Sequence, residues 1–159
     1  MYSLKGGQVH SANDLPRDRA TVRMEFSKFA FHDFALKALH LHREQGQDDI
    51  TLELFPPLPD EPGYVELTFL DCAVLRADID LIGKSICADA VAGMYCEVDS
   101  KFSQAVRVGK VRLYEGGDLS SYAYFQVLLC PPGGELDIFA RDFYVDDHGT
   151  SRTYLSKAT

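Results

Sequence analysis

Basic residues are in short supply in this 159-residue chain: 16 Lys and Arg stand against 24 Asp and Glu, a formal charge of −8 and a sequence pI near 5.0. A phosphate backbone is held by a basic surface, so nucleic acid is not an expected partner. Long apolar runs are missing too. None reaches the roughly 20 residues that span a bilayer, and Met1-Tyr2-Ser3-Leu4-Lys5-Gly6-Gly7 lacks the apolar core of a secretion signal. The expectation is a cytoplasmic protein without a membrane span. Cysteine is limited to Cys72, Cys87, Cys96 and Cys130, with no C-x-x-C pair to bind zinc. Cys72, Cys96 and Cys130 sit in apolar, strand-like contexts, where a reduced thiol behaves as a small hydrophobe.

Motif chemistry is equally sparse. There is no G-x-G-x-x-G or G-x-x-x-x-G-K-[ST] to cradle a phosphate, no G-x-S-x-G elbow for a nucleophilic serine, and no H-E-x-x-H. The sequence therefore assigns no catalytic residue and calls for no cofactor. Long amphipathic crossovers, which parallel sheets require, are absent as well.

What is present is strand periodicity. Phe31-His32-Asp33-Phe34 runs into Ala35-Leu36-Lys37-Ala38-Leu39-His40-Leu41-His42. A turn at 45–49 and a second run, Ile50 to Phe55, complete a predicted hairpin. Pro56 to Gly63 holds four prolines and must be a connecting loop, because proline has no N–H to give a ladder. Tyr64 to Phe69 then alternates, with Val65, Leu67 and Phe69 inward. After a turn at Asp71-Cys72, Ala73, Leu75, Ala77 and Ile79 are assigned inward and Val74, Arg76, Asp78 and Asp80 outward. Leu81 to Gly93 is the helix candidate, since Ile82, Ile86 and Ala90 recur every four residues and Gly93 suits a cap.

Met94, Cys96 and Val98 mark a strand, and a further pair is expected at 105–108 and 111–114. Ser121 to Cys130 and Glu135 to Val145 form the last hairpin. In it Ala123, Phe125, Val127 and Leu129 face Leu136, Ile138 and Ala140, and a bulge is expected at Arg141-Asp142. Tyr122 and Tyr124 point to the other side. Thr21 to Phe31 is ambiguous; the alternation of Val22, Met24 and Phe26 favours an extended segment.

The predicted fold is mainly β, α+β at most: an antiparallel sheet forming a sandwich or curved half-barrel with one short helix. Its domain plan is an irregular arm over 1–20, one β-rich domain over 21–146 and a fraying polar tail over 147–159.

Charge is unevenly distributed. Glu44 to Asp99 contains 13 acidic residues against Arg76 and Lys84. Gathered on one face, these would steer a basic protein partner. The candidate contact residues are Asp48, Asp49, Glu53, Asp60, Glu61, Glu66, Asp78 and Asp80. Scattered, they are a solubility coat. His40 and His42 project to one side of a strand, and with Asp33 they form an alternative metal set. His32 and Asp33 are read as structural, a short polar pair bonding backbone between two phenylalanines.

The segment Phe31-His32-Asp33-Phe34-Ala35-Leu36, followed by a hairpin, a proline-rich loop and Val65-Glu66-Leu67-Thr68-Phe69 with Asp71 to Asp80 behind it, resembles small immunity proteins of bacterial polymorphic toxin systems. The resemblance covers mainly residues 29 to 82. It implies a cytoplasmic inhibitor that covers the active or substrate-binding surface of a co-produced toxin, and it carries over no toxin-contacting residue. The competing expectations are a small-molecule or metal-binding β-domain, possible as an enzyme, and a structural or oligomeric subunit. Oligomeric state stays open.

Overall fold

A computed structural model of the chain describes residues 2–3, 9–10, 17–44, 46–80, 89–98, 121–131 and 133–155. The expected helical turns at 81–88 and the expected strand pair at 105–114 lie outside them. β1 (Tyr2–Ser3) and β2 (Val9–His10) make a two-residue antiparallel pair, and helix α1 covers Arg19–Phe26. Eight strands then follow: β3 (Ala35–Glu44), β4 (Gln47–Phe55), β5 (Tyr64–Leu70), β6 (Val74–Ile79), β7 (Val91–Glu97), β8 (Ala123–Leu129), β9 (Gly134–Ala140) and β10 (Asp142–His148). They build two antiparallel four-stranded sheets, ordered β10-β5-β4-β3 and β6-β9-β8-β7. The mainly β expectation with one short helix holds, and the sheets do not close into a barrel.

The side-chain period of two sorts each strand. Ile50, Leu52, Leu54, Val65, Leu67, Phe69, Phe143 and Val145 face inward from one sheet. Ala123, Phe125, Val127, Leu129, Leu136, Ile138 and Ala140 face them from the other. Helix α1 adds Val22 and Phe26 between them. The Phe26 ring meets Phe125 and Phe143 edge-on, each at 5.0 Å, and Phe69 at 6.4 Å, so the helix joins the two inner faces. Among the described strands the chain passes from one sheet to the other between β5 and β6 and back between β9 and β10. One seam is bridged: Ala35 pairs with Ala90, and Val91 N–H donates to Phe34 O at 2.7 Å.

Several expectations are corrected. Residues 19–26 are helical, not extended. Asp18 caps the helix by accepting from the Thr21 N–H at 3.0 Å and its hydroxyl at 2.7 Å. Val22 and Phe26, four apart, are buried while Met24 is exposed, so the period of 3.6 overrides the apparent alternation. Just before the helix, Arg17 grips Asp142. Gly93 lies inside β7 and is no helix cap.

Arg141-Asp142 is the corner at which the chain leaves one sheet for the other, not a bulge within a hairpin; Arg141 N–H donates to Leu70 O at 3.0 Å there. The chain from Asp147 to Leu155 belongs to the fold: β10 runs to His148, Thr150 and Tyr154 are buried, and Leu155 bridges Phe29. Tyr154 stacks on Phe31 at 5.2 Å and donates its hydroxyl to Asp147 at 2.9 Å, which ties the segment into the core.

Candidate functional site: the outer face of the β10-β5-β4-β3 sheet

The hairpin of β3 and β4 closes at Gly46, whose φ of +80° suits a glycine turn. With one face of the sheet committed to the core, the alternate residues are forced outward, and the antiparallel register arranges them in rows across strands. One row is aromatic. Phe55 stacks on Tyr64 at 5.0 Å and Tyr64 on His148 at 4.5 Å, with ring planes within 13°. The next row is acidic: Glu53 lies opposite Glu66, and Glu66 opposite Asp146. A third row places His40 opposite Thr51 and Thr51 opposite Thr68, whose buried hydroxyls bond at 2.9 Å. His42 and Asp49 pair in the row beyond.

Like charges placed directly across strands repel, and imidazoles flank this row. His148 Nε2 stands 3.1 Å from Glu66 Oε1 and 3.5 Å from Asp146 Oδ2, while His40 Nε2 is 3.4 Å from Glu53 Oε1. Each imidazole contributes a positive charge only when protonated. The local field is visible at Tyr64, whose hydroxyl is held above its ordinary pKa first by desolvation, then by the charges of Glu66 and Glu53, with Asp146 adding to them. Gly63 lets the proline loop approach closely here: at φ +74°, a Cβ would stand 2.4 Å from the Gly149 carbonyl carbon.

The eight acidic candidates divide. Asp49, Glu53 and Glu66 share this outer face. Asp49 also accepts from the Asp71 N–H at 2.9 Å, bracing the β5–β6 corner. Asp48 is paired with Arg43 at 3.0 Å, and Glu61 with Arg152 at 2.5 Å. Asp60 is exposed on the proline loop. Asp78 lies across from Glu135 on the other sheet's edge strand, with Asp80 just after it, so these two cannot join the same surface.

Asp146, His148 and Tyr64 lie outside the acidic set the sequence singles out: Asp146 is beyond the 44–99 charge cluster, His148 falls in the expected tail, and Tyr64 carries no charge. The signal was there. Phe143 and Val145 go inward, and the same alternation carries Tyr144, Asp146 and His148 outward. His40 and His42 do share a side, with ring centroids 6.1 Å apart. Among the described residues, however, the set of His, Cys, Asp and Glu whose donor atoms converge is Glu66, Asp146 and His148, all within 4.8 Å of one another. Asp33 is not part of it.

His32 and Asp33 form the tip of a turn, not a strand segment. Phe34 N–H donates to Phe31 O at 3.0 Å, Asp33 takes a φ of 71°, and His32 Nδ1 lies 3.1 Å from the Asp33 carboxylate. Both are exposed, while Phe31 and Phe34 on either side are buried. The Asp33 N–H donates to Val91 O at 3.0 Å, pinning the turn to the seam.

Burial pushes the Cys72 and Cys96 thiols up to about 12, so both stay protonated and unreactive at neutral pH. Compared with protein-family models, with curated proteins and with solved structures, the chain matches none. The face offers negative charge, imidazole nitrogens and a flat aromatic stack.

Proposed function

We propose that the protein is a cytoplasmic binding inhibitor of the immunity type, which docks the outer face of the β10-β5-β4-β3 sheet onto a basic toxin and covers its active or substrate-binding surface. The observation that carries this reading is the gathering of Asp49, Glu53, Glu66 and Asp146 on one outer sheet face. Among the described residues, the ion-pair partners of the Glu53, Glu66 and Asp146 row are His40 and His148. A surface of one sign accelerates encounter with the opposite sign and orients the complex, whereas tight association also needs apolar anchors. Phe55 and Tyr64 at the end of the acidic row, with exposed Leu58 on the loop after Phe55, supply them.

The test pairs the protein with the basic product of a neighbouring toxin gene. Glu53→Gln, Glu66→Gln and Asp146→Asn are combined, and association is followed by stopped flow at low ionic strength. The expected outcome is association slowed about tenfold, with the wild-type rate falling steeply as salt is added. Circular dichroism checks that the variant retains its strands. An association rate unchanged at low salt would overturn the assignment of this face.

A further inference from the structure

The triad of Glu66, Asp146 and His148 goes beyond a docking surface. We infer that it is a binding site for a divalent transition-metal ion of the zinc class, with His148 Nε2 and one carboxylate oxygen from each of Glu66 and Asp146 as ligands.

Three observations support the assignment. The first is spacing. Ligands held about 2.0–2.2 Å from a metal at tetrahedral or octahedral angles lie about 3.0–3.5 Å from each other. The Nε2 atom of His148 is 3.1 Å from Glu66 Oε1 and 3.5 Å from Asp146 Oδ2, so small side-chain adjustments admit an ion between them. The second is support. The ligands come from β5 and β10, adjacent strands in continuous register, and not from a loop. The Tyr64 ring lies flat against the imidazole at 4.5 Å and 13°, fixing its plane. Orienting contacts of this kind hold metal ligands in place.

The third observation is charge. Glu53, directly across from Glu66, adds a third carboxylate to the row and to its negative field. A bound dication would convert a repulsive arrangement into an attractive one. Nitrogen and carboxylate donors together suit zinc, and also nickel or manganese, better than magnesium, which prefers oxygen alone. Among the described residues the His40 and His42 pair, with Glu53 beside His40 and Asp49 across from His42, lacks this convergence.

The test uses the full chain and zinc alone. Calorimetric titration in chelator-treated buffer near neutral pH is expected to give one saturable equivalent. His148→Ala and Glu66→Gln should each weaken it about tenfold or more, while the double variant His40→Ala/His42→Ala binds as wild type. Glu66→Gln preserves shape and guards against a folding defect, and proton NMR of the imidazoles should show the His148 resonances moving with zinc. No saturable binding below millimolar zinc overturns the inference. So does binding that survives both triad variants, or binding lost only with the His40/His42 pair. No toxin enters the measurement, so its failure leaves the docking assignment standing, and failure of docking leaves this one.

Discussion

The two outer faces of the sandwich have the same origin and different character. On the β10-β5-β4-β3 sheet, outward positions carry carboxylates, imidazoles and an aromatic stack around a buried threonine pair. On the β6-β9-β8-β7 sheet, a second apolar cluster sits beside the charged pairs of Arg76 with Asp137 and Asp78 with Glu135: Phe139 is buried, Tyr124 nearly so, and Val74 and Tyr122 pack against them. Tyr124 donates to Asp137 there, and burial first, then that bond, raises its hydroxyl pKa. Alternation alone thus decides which residues leave the main core, not whether they meet water.

The two faces join at the β9–β10 corner, and the largest effect is expected there. Asp142 is fully buried and takes a two-pronged grip from Arg17, with Nη2 at 2.7 Å and Nε at 3.1 Å, while also accepting from the Phe143 N–H at 2.7 Å. Asp142→Ala removes the carboxylate partner of a largely buried guanidinium and should cost about 3 kcal/mol, measurable by urea denaturation. A loss under about 1 kcal/mol would mean that the corner does not depend on this pair.

The comparison is sharpest when one residue is changed on each outer face. Phe139→Ala empties a buried site and should destabilise by about 2–3 kcal/mol. Glu66→Gln removes a charge that opposes two others and should alter stability by no more than about 0.5 kcal/mol, in either direction. Equal costs would erase the distinction between the faces.

The smallest expected effect is a pH dependence at the proline loop. Hydrogen bonds from Arg152 hold the Glu61 carboxyl below its ordinary value of 4.5, against a smaller opposing effect of burial. A lowered folded pKa means that the unfolded chain binds the proton first as pH drops. The Glu61 contribution is therefore complete above the unfolded value and disappears as acid passes the depressed folded one. Wild type and Glu61→Gln should differ slightly in urea midpoint near neutral pH and converge in acid; a gap that persists in acid would point to packing instead.

Much of the architecture was legible because the inward residues announce themselves. Val65, Leu67 and Phe69, and the facing sets Ala123/Phe125/Val127 and Leu136/Ile138/Ala140, alternate without interruption, and their burial follows. The helix was misread because Val22, Met24 and Phe26 satisfy both periods, and only the Asp18 cap separates them. The tail was misread because its anchors, Thr150 and Tyr154, are isolated residues in a polar stretch whose partners lie far away in sequence. The candidate site was half legible: Glu53 and Glu66 stood out within the acidic 44–99 stretch, whereas Asp146 lies outside that stretch and His148 falls in the expected tail.

Local sequence determined the strands, their turns and the inward face of each, because period and turn chemistry act over a few residues. Tertiary structure alone decided which strands became neighbours, and so which outward side chains met. Glu66 and His148 are 82 positions apart in the chain, and nothing local to either residue encodes the other. Their meeting, at 3.1 Å, depends on β10 leaving one sheet at Arg141 and pairing with β5 in a single register. A slip of one residue would turn His148 toward the core and dissolve the site.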